Sequence, residues 1–166
     1  MKTNDFCKVG TDERKDVLTC IGKKNWMLCY GYSKNDDEGQ GYEWRKTYNH
    51  QPSEEEVKSD LIKLIDQITD DKILNSFKWN DMPVYLSSEN QMNFKAAYDL
   101  AVQSADSILP ITFKLGEDEN SSPVYHVFSD IDDFSDFYLK AISFINSCLK
   151  EGWQEKDSID YNSLLN

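Results

Sequence analysis

The stretch NSFKWNDMPVYL, residues 75–86, returns in altered form as ITFKLGEDENSSPVYHVF, residues 111–128, and this pair decides how the chain is read. Phe77-Lys78 is followed by Pro83-Val84-Tyr85, then by Phe94, Tyr98 and Ala101; Phe113-Lys114 is followed by Pro123-Val124-Tyr125, then by Phe134, Tyr138 and Ala141. From Pro83 onward the offset is a constant 40 residues. Self-similarity of this kind marks one supersecondary unit used twice, each repeat supplying part of a shared core.

Within the first repeat, Ile73 to Trp79 and Met82 to Leu86 read as strands joined by Asn80-Asp81, residues that tolerate the positive φ of a type I′ turn. That register sets Trp79 against Met82, Phe77 against Val84 and Asn75 against Leu86, with an apolar row on one face. Pro83 lacks a donor and points to an edge or a local break. Ser88 with Gln91 reads as a capping box for a helix striped by Phe94, Ala97, Tyr98, Ala101 and Ala105. In the second repeat Ile111, Phe113 and Leu115 alternate, an acidic loop intervenes, and Val124 to Phe128 forms the return strand. Asp130 caps a helix whose Phe134, Phe137, Tyr138, Ala141, Ile145 and Cys148 share a face, stopped at Gly152.

Upstream, Trp26, Leu28, Tyr30 and Tyr32 alternate along one strand, and Tyr42, Trp44, Lys46 and Tyr48 along another, across a polar loop from Ser33 to Gly41. Trp26, Tyr30, Trp44 and Tyr48 are expected as core and cross-strand pairs. Ser53 and Glu56 open a helix from about Glu54 to about Ile68, with Val57, Leu61, Leu64, Ile65 and Ile68 inward. The order strand, strand, helix therefore occurs three times, over about 26–70, 73–106 and 109–152. The expected architecture is an α+β protein of repeated ββα units, antiparallel β-hairpins packed against about three helices. It forms a single domain over 20–152 between an N-terminal arm or irregular edge, 1–19, with only Phe6, Val9, Val17 and Leu18 to pack, and a C-terminal arm, 153–166, that packs back or reaches a partner through Trp153, Ile159, Tyr161, Leu164 and Leu165.

With 166 residues, 39% hydrophobic and 13% aromatic, the chain has enough apolar material for a core and is not disordered in bulk. Thirty acidic against 18 basic residues give a net charge of -12, which disfavours phosphate backbones and anionic membranes and favours basic partners. Cys7, Cys20, Cys29 and Cys148 form no C-x-x-C pair, and three sit in apolar surroundings, so they read as reduced, mostly buried thiols of a cytosolic protein. No apolar run has the length of a signal core or a membrane span.

Candidate chemistry is sparse. His126, on a strand, is a candidate base for Cys29 or Cys148 should the fold assemble them, and a structural histidine otherwise. His50 has no evident partner. The clusters Asp36-Asp37-Glu38, Glu117-Asp118-Glu119 and Asp130-Ile131-Asp132-Asp133 raise calcium, but Phe134 and Ser135 stand at the fifth and sixth positions counted from Asp130, so the EF-hand template fails. Solvated loops and helix caps account for these charges. The sequence contains no glycine-rich phosphate loop, G-x-S-x-G or H-E-x-x-H pattern. No catalytic residue, cofactor site or metal site is assigned.

The run from Asn75 to Ala101, the run from Leu109 to Ile145 and the segment GWQEKDSIDY resemble a group of small uncharacterised proteins encoded by phages and prophages of anaerobic gut bacteria. Part of the match is similar to a domain of unknown function in phage tail-associated proteins, through Asn75-Ser76-Phe77 before the turn and Tyr85-Leu86 after it. The resemblance spans roughly Tyr42 to Tyr161, with tyrosine at 85 and 161 where the family commonly has tryptophan. It implies a phage origin and carries no functional residue. The function it leads us to expect is a non-enzymatic structural or assembly protein, a small accessory subunit of tail, baseplate or neck. Such a subunit would be made in the host cytoplasm, reside in the virion and contact other phage structural proteins as a symmetric oligomer or ring. The alternative expectation is an acidic inhibitor of a host defence or nucleic-acid-binding protein.

Overall fold

A computed structural model describes residues 6–13, 15–34 and 41–165, with Tyr32 and Lys34 as backbone only. It is an α+β structure. In place of one domain flanked by arms, the chain divides into two compact units, one drawn from Met1–Asp66 with Glu155–Asn166 and the other Gln67–Gln154. The division falls within the two longest helices.

The first unit holds a four-stranded antiparallel sheet of β1 (Cys7–Gly10), β2 (Val17–Ile21), β3 (Asn25–Lys34) and β4 (Gly41–Tyr48), in the order β1-β4-β3-β2. β3 and β4 are the aromatic hairpin: Trp26 pairs with Tyr48 and Tyr30 with Trp44, as the alternation requires. Of the two expectations for the N-terminal segment, an arm or an edge, the structure shows the edge: residues 7–10 and 17–21 are the two edge strands of this sheet. Val17-Leu18-Thr19-Cys20-Ile21 is a β-favouring run ahead of Gly22, whose φ of +77° turns the chain back into β3.

Leu18, Leu28, Tyr30 and Tyr48 pack on Val57, Leu61, Leu64 and Ile65 from α1 (Glu54–Asn75). Leu164 of α5 (Tyr161–Leu165) joins the same core. Of the two expectations for the C-terminal arm, the structure shows the one that packs back: residues 153–157 continue α4 (Ile131–Asp157), and the anchors Ile159, Tyr161, Leu164 and Leu165 pack on this core.

The second unit contains the two repeats. The hairpin of β5 (Lys78–Trp79) and β6 (Met82–Pro83) has Trp79 opposite Met82, and Asn80 and Asp81 both carry positive φ, as the turn chemistry dictates. The Val84 amide donates to Phe77 at 2.9 Å, as the expected register requires, whereas the Leu86 amide donates to Leu74 at 3.2 Å and not to Asn75, so the register slips by one residue there. Both strands are shorter than expected, because Ile73, four residues past Thr69, extends the buried stripe of α1 to Asn75. Helix α2 (Ser88–Gln103) is capped by Ser87, not Ser88; the Ser87 hydroxyl accepts from the Asn90 amide and Gln91 donates to the Leu86 carbonyl. A short α3 (Ala105–Ile108) follows.

In the second repeat β7 (Ile111–Glu117) pairs with β8 (Pro123–Phe128) across a register shift between Lys114 and Gly116. Phe113 therefore faces His126, whereas its repeat partner Phe77 faces Val84. Helix α4 (Ile131–Asp157) begins at Asp130, whose carboxylate accepts the Asp133 amide at 2.8 Å. It does not stop at Gly152. That glycine is buried, and a Cβ there would lie 2.5 Å from Thr69 Oγ1, so it serves the approach of α4 to α1 instead of a helix end.

One core unites the repeats: Phe77, Trp79 and Phe94 interlock with Phe128, Phe134 and Phe137. The Tyr85 amide donates to the Leu115 carbonyl at 2.8 Å, carrying backbone pairing from the first hairpin to the second. Gly116 permits that contact, since a Cβ would fall 2.6 Å from the Pro83 carbonyl oxygen.

Candidate functional site

The burial pattern of β8 turns Val124, His126 and Phe128 inward and leaves Tyr125 and Val127 exposed. His126 meets the edges of Trp79 and Phe128, with ring centroids 4.8 and 4.6 Å apart. Its Nε2 lies 2.9 Å from Asp133 Oδ2 on the first turn of α4. One turn on, Asp136 Oδ2 accepts from Lys140 at 2.7 Å and from the Trp79 indole at 2.9 Å, and these two bonds hold its carboxyl below the usual range. The group fastens the two hairpins to α4.

Asp133 and Cys148 are separated by 15 residues of one helix, roughly 22 Å along its axis. A histidine held by Asp133 is far from the thiol, so His126 and Cys148 do not form a dyad. Burial, followed in size by the Glu43 carboxylate, raises the Cys29 thiol above its ordinary pKa and keeps it in its less nucleophilic, protonated form. Burial also raises Cys148. Cys7 and Cys20 are exposed, against the expectation of mostly buried thiols; both lie on edge strands.

Two carboxylates in the first unit are buried. Tyr48 donates to Asp60 Oδ2 at 2.8 Å and Lys46 reaches the same oxygen at 2.7 Å, joining β4 to α1. Desolvation first, then the bond to Asp60, pushes the Tyr48 phenol far up. Glu43 is 0% exposed; its Oε1 takes Arg45 Nε at 2.7 Å, and among the described residues Oε2 has no hydrogen-bond partner. His50, for which the sequence offers no partner, sits 2.9 Å from both Glu56 and Asn49 oxygens.

The acidic clusters resolve into local structure where they are described. Asp118 accepts the amides of Asn120 and Ser122, Glu117 pairs with Lys114, Asp130 caps α4 and Asp133 binds His126. Asp36-Asp37-Glu38 lies outside the described residues. Among the described residues no group of three or more histidine, cysteine or acidic side chains is placed to hold a metal, and no helix is long and apolar enough to cross a membrane.

A groove of about 520 Å³ opens between the hairpins, lined by Asn75, Pro83, Tyr85, Asn90, Lys114 and Gly116 among others. Its polar side chains are engaged within the protein: Asn75 on Asp71, Asn90 on the Tyr85 carbonyl, Lys114 on Glu117.

What sequence reasoning missed is the outward apolar surface. Met92, Leu100 and Val102 on α2, Tyr125 and Val127 on β8, and Leu139, Ile142 and Trp153 on α4 are exposed. On α4 the signal was present, because Leu139, Ile142 and Trp153 keep a helical spacing offset from the core stripe. Comparison of the chain with protein-family models, curated proteins and solved structures finds no match in any of the three.

Proposed function

We propose that this chain is a non-enzymatic subunit or assembly factor of a bacteriophage particle, an accessory of tail, baseplate or neck that acts through protein contacts. The observation that carries the proposal is the surface: three elements of the second unit display large apolar side chains to solvent, while the titratable groups with chemical potential are tied into internal bonds. The resemblance over roughly Tyr42 to Tyr161 supplies the phage context.

Charge placement supports contact with structural proteins over mimicry of nucleic acid. Lys58 pairs with Glu54, Lys72 with Glu151, Lys95 with Asp99, Lys114 with Glu117, Lys140 with Asp136 and Lys156 with Asp66, so each of these cations sits beside an acid within its own unit. A mimic would gather its acids on one face and bind in a strongly salt-dependent way.

The test is mass spectrometry of gradient-purified particles from the producing phage. Stoichiometric presence beside the capsid protein is the expected result. Abundance in infected cells with absence from particles removes the virion reading and leaves an assembly factor or a host-directed inhibitor, which pulldown separates.

A further inference from the structure

Along one flank of α4, Ser135, Leu139, Ile142, Asn146, Leu149 and Trp153 follow one another at intervals of 4, 3, 4, 3 and 4 residues, with Ser135 half-buried and Leu149 partly buried against the core. That is the spacing of a coiled-coil seam, running roughly 27 Å along the helix. Leu139 is 59%, Ile142 37% and Trp153 58% exposed. A seam of this length beside the stripe that α4 packs into its own core, where Tyr138, Ile145 and Leu149 lie, is a surface built for another helix.

We propose that the occupant is a second copy of this chain, its α4 lying antiparallel to the first. The argument is charge. With Leu139, Asn146 and Trp153 at the a positions, the outer flank carries Asp136, Ser143 and Lys150 at successive e positions: negative, neutral, positive. In an antiparallel pair e faces e. The register that sets Leu139 against Leu149 of the partner subunit also sets Asp136 against Lys150 of the partner subunit, at both ends, with Ser143 beside its own counterpart.

The layers fit the same register. Trp153 falls opposite Ser135 of the partner subunit, large against small, and Ile142 opposite Asn146 of the partner subunit, a polar position that fixes register. A parallel pair would instead offer Asp136 and Lys150 the g positions, which are Ile131 and Ile145, with no charge to meet. Both ions are available. The bonds of Asp136 to Trp79 and Lys140 end on Oδ2. Lys150 is exposed and enters no ion pair among the described residues. The pairing is independent of the phage assignment, since a soluble dimer can form whether or not the protein enters a particle.

The experiment is sedimentation of the full chain up to about 1 mM, with cross-linking in a Cys7→Ser, Cys20→Ser background. Expected are a monomer–dimer equilibrium, at least tenfold weaker dimerisation in Lys150→Glu, and recovery when Asp136→Lys is added. Ser143→Cys is expected to cross-link to its own copy under oxidation, and Trp153→Cys is not. A monomer throughout that range, or a Trp153→Cys cross-link without one at Ser143→Cys, overturns the proposal. So does dimerisation unchanged by Leu139→Glu. Circular dichroism of each variant separates lost pairing from lost folding. Failure here leaves the virion measurement unaffected, and absence from virions leaves the dimer standing.

Discussion

Tyr98 and Tyr138, the same position in the two repeats and 40 residues apart, stack on each other with ring centroids 4.4 Å apart and planes 21° from parallel. Contact between equivalent residues is what a local two-fold arrangement of α2 and α4 produces, as in an isologous interface where a residue on the axis meets its own counterpart. Buried Ala101 and Ala141, one turn further along each helix, are small enough for close approach.

The stack predicts energetic coupling across the repeats. Tyr98→Ala and Tyr138→Ala should each cost about 2–3 kcal/mol in urea denaturation, and their double-mutant cycle should return a coupling of roughly 0.5–1.5 kcal/mol. Additive effects would show that the rings pack independently.

Gly152→Ala should reverse sign with its background. In the native chain the new methyl group meets Thr69 Oγ1 at 2.5 Å and should destabilise by about 1–3 kcal/mol. With Thr69→Ala the obstruction is gone, and the helix preference for alanine should make the same change neutral or favourable by up to about 1 kcal/mol. Equal losses in both backgrounds would refute the steric account.

Gly116→Ala should be costly without a side-chain remedy, because its obstacle is the Pro83 carbonyl. A loss of about 1–3 kcal/mol is expected. Amide exchange of Tyr85, which donates to Leu115, should accelerate. Unchanged Tyr85 protection would count against the link between hairpins.

Thiol reactivity should divide by position. At neutral pH Cys7 and Cys20 should react rapidly with a disulfide reagent, and Cys29 and Cys148 only on unfolding. Four equally fast thiols would contradict the burial of the latter pair.

Alkaline pH should destabilise the protein through Tyr48 and Cys29. Both are neutral when protonated and both have folded pKa values above their ordinary 10.0 and 9.0, so the unfolded chain releases these protons first. Their contribution is complete below the unfolded pKa values and declines as pH rises beyond about 9. Tyr48→Phe should flatten the fall above about pH 10 and cost about 1–2 kcal/mol at pH 7 through the lost bond to Asp60. An unchanged slope would remove Tyr48 from the account.

Much of the second unit was legible because local rules agree with one another there. Asn80-Asp81 can take positive φ, Trp79, Phe77 and Val84 alternate about that turn, and Phe94, Ala97 and Ala101 recur at helical spacing, so turn, register and buried face all follow. The terminal segments were legible only in part, for a reason of the same kind. Val17, Leu18 and Leu164 stand out as anchors, but they are too widely separated in sequence from their partners to declare them, and β3 and α1 supply those partners. The sites divide likewise: Asp130 is recognisable as a cap, whereas the bonds of His126 to Asp133 and Trp79 to Asp136 join strands to a distant helix.

The sequence alone determined the α+β class, the aromatic hairpin, the internal repeat and the inward faces of its helices, since periodicity and turn chemistry act between near neighbours. Tertiary structure alone decided that Gly152 is a contact and not a stop, that residues 7–10 and 17–21 are the edge strands of one sheet, and that Tyr98 lies on Tyr138. Those depend on distances between residues far apart in the chain, which no local pattern specifies.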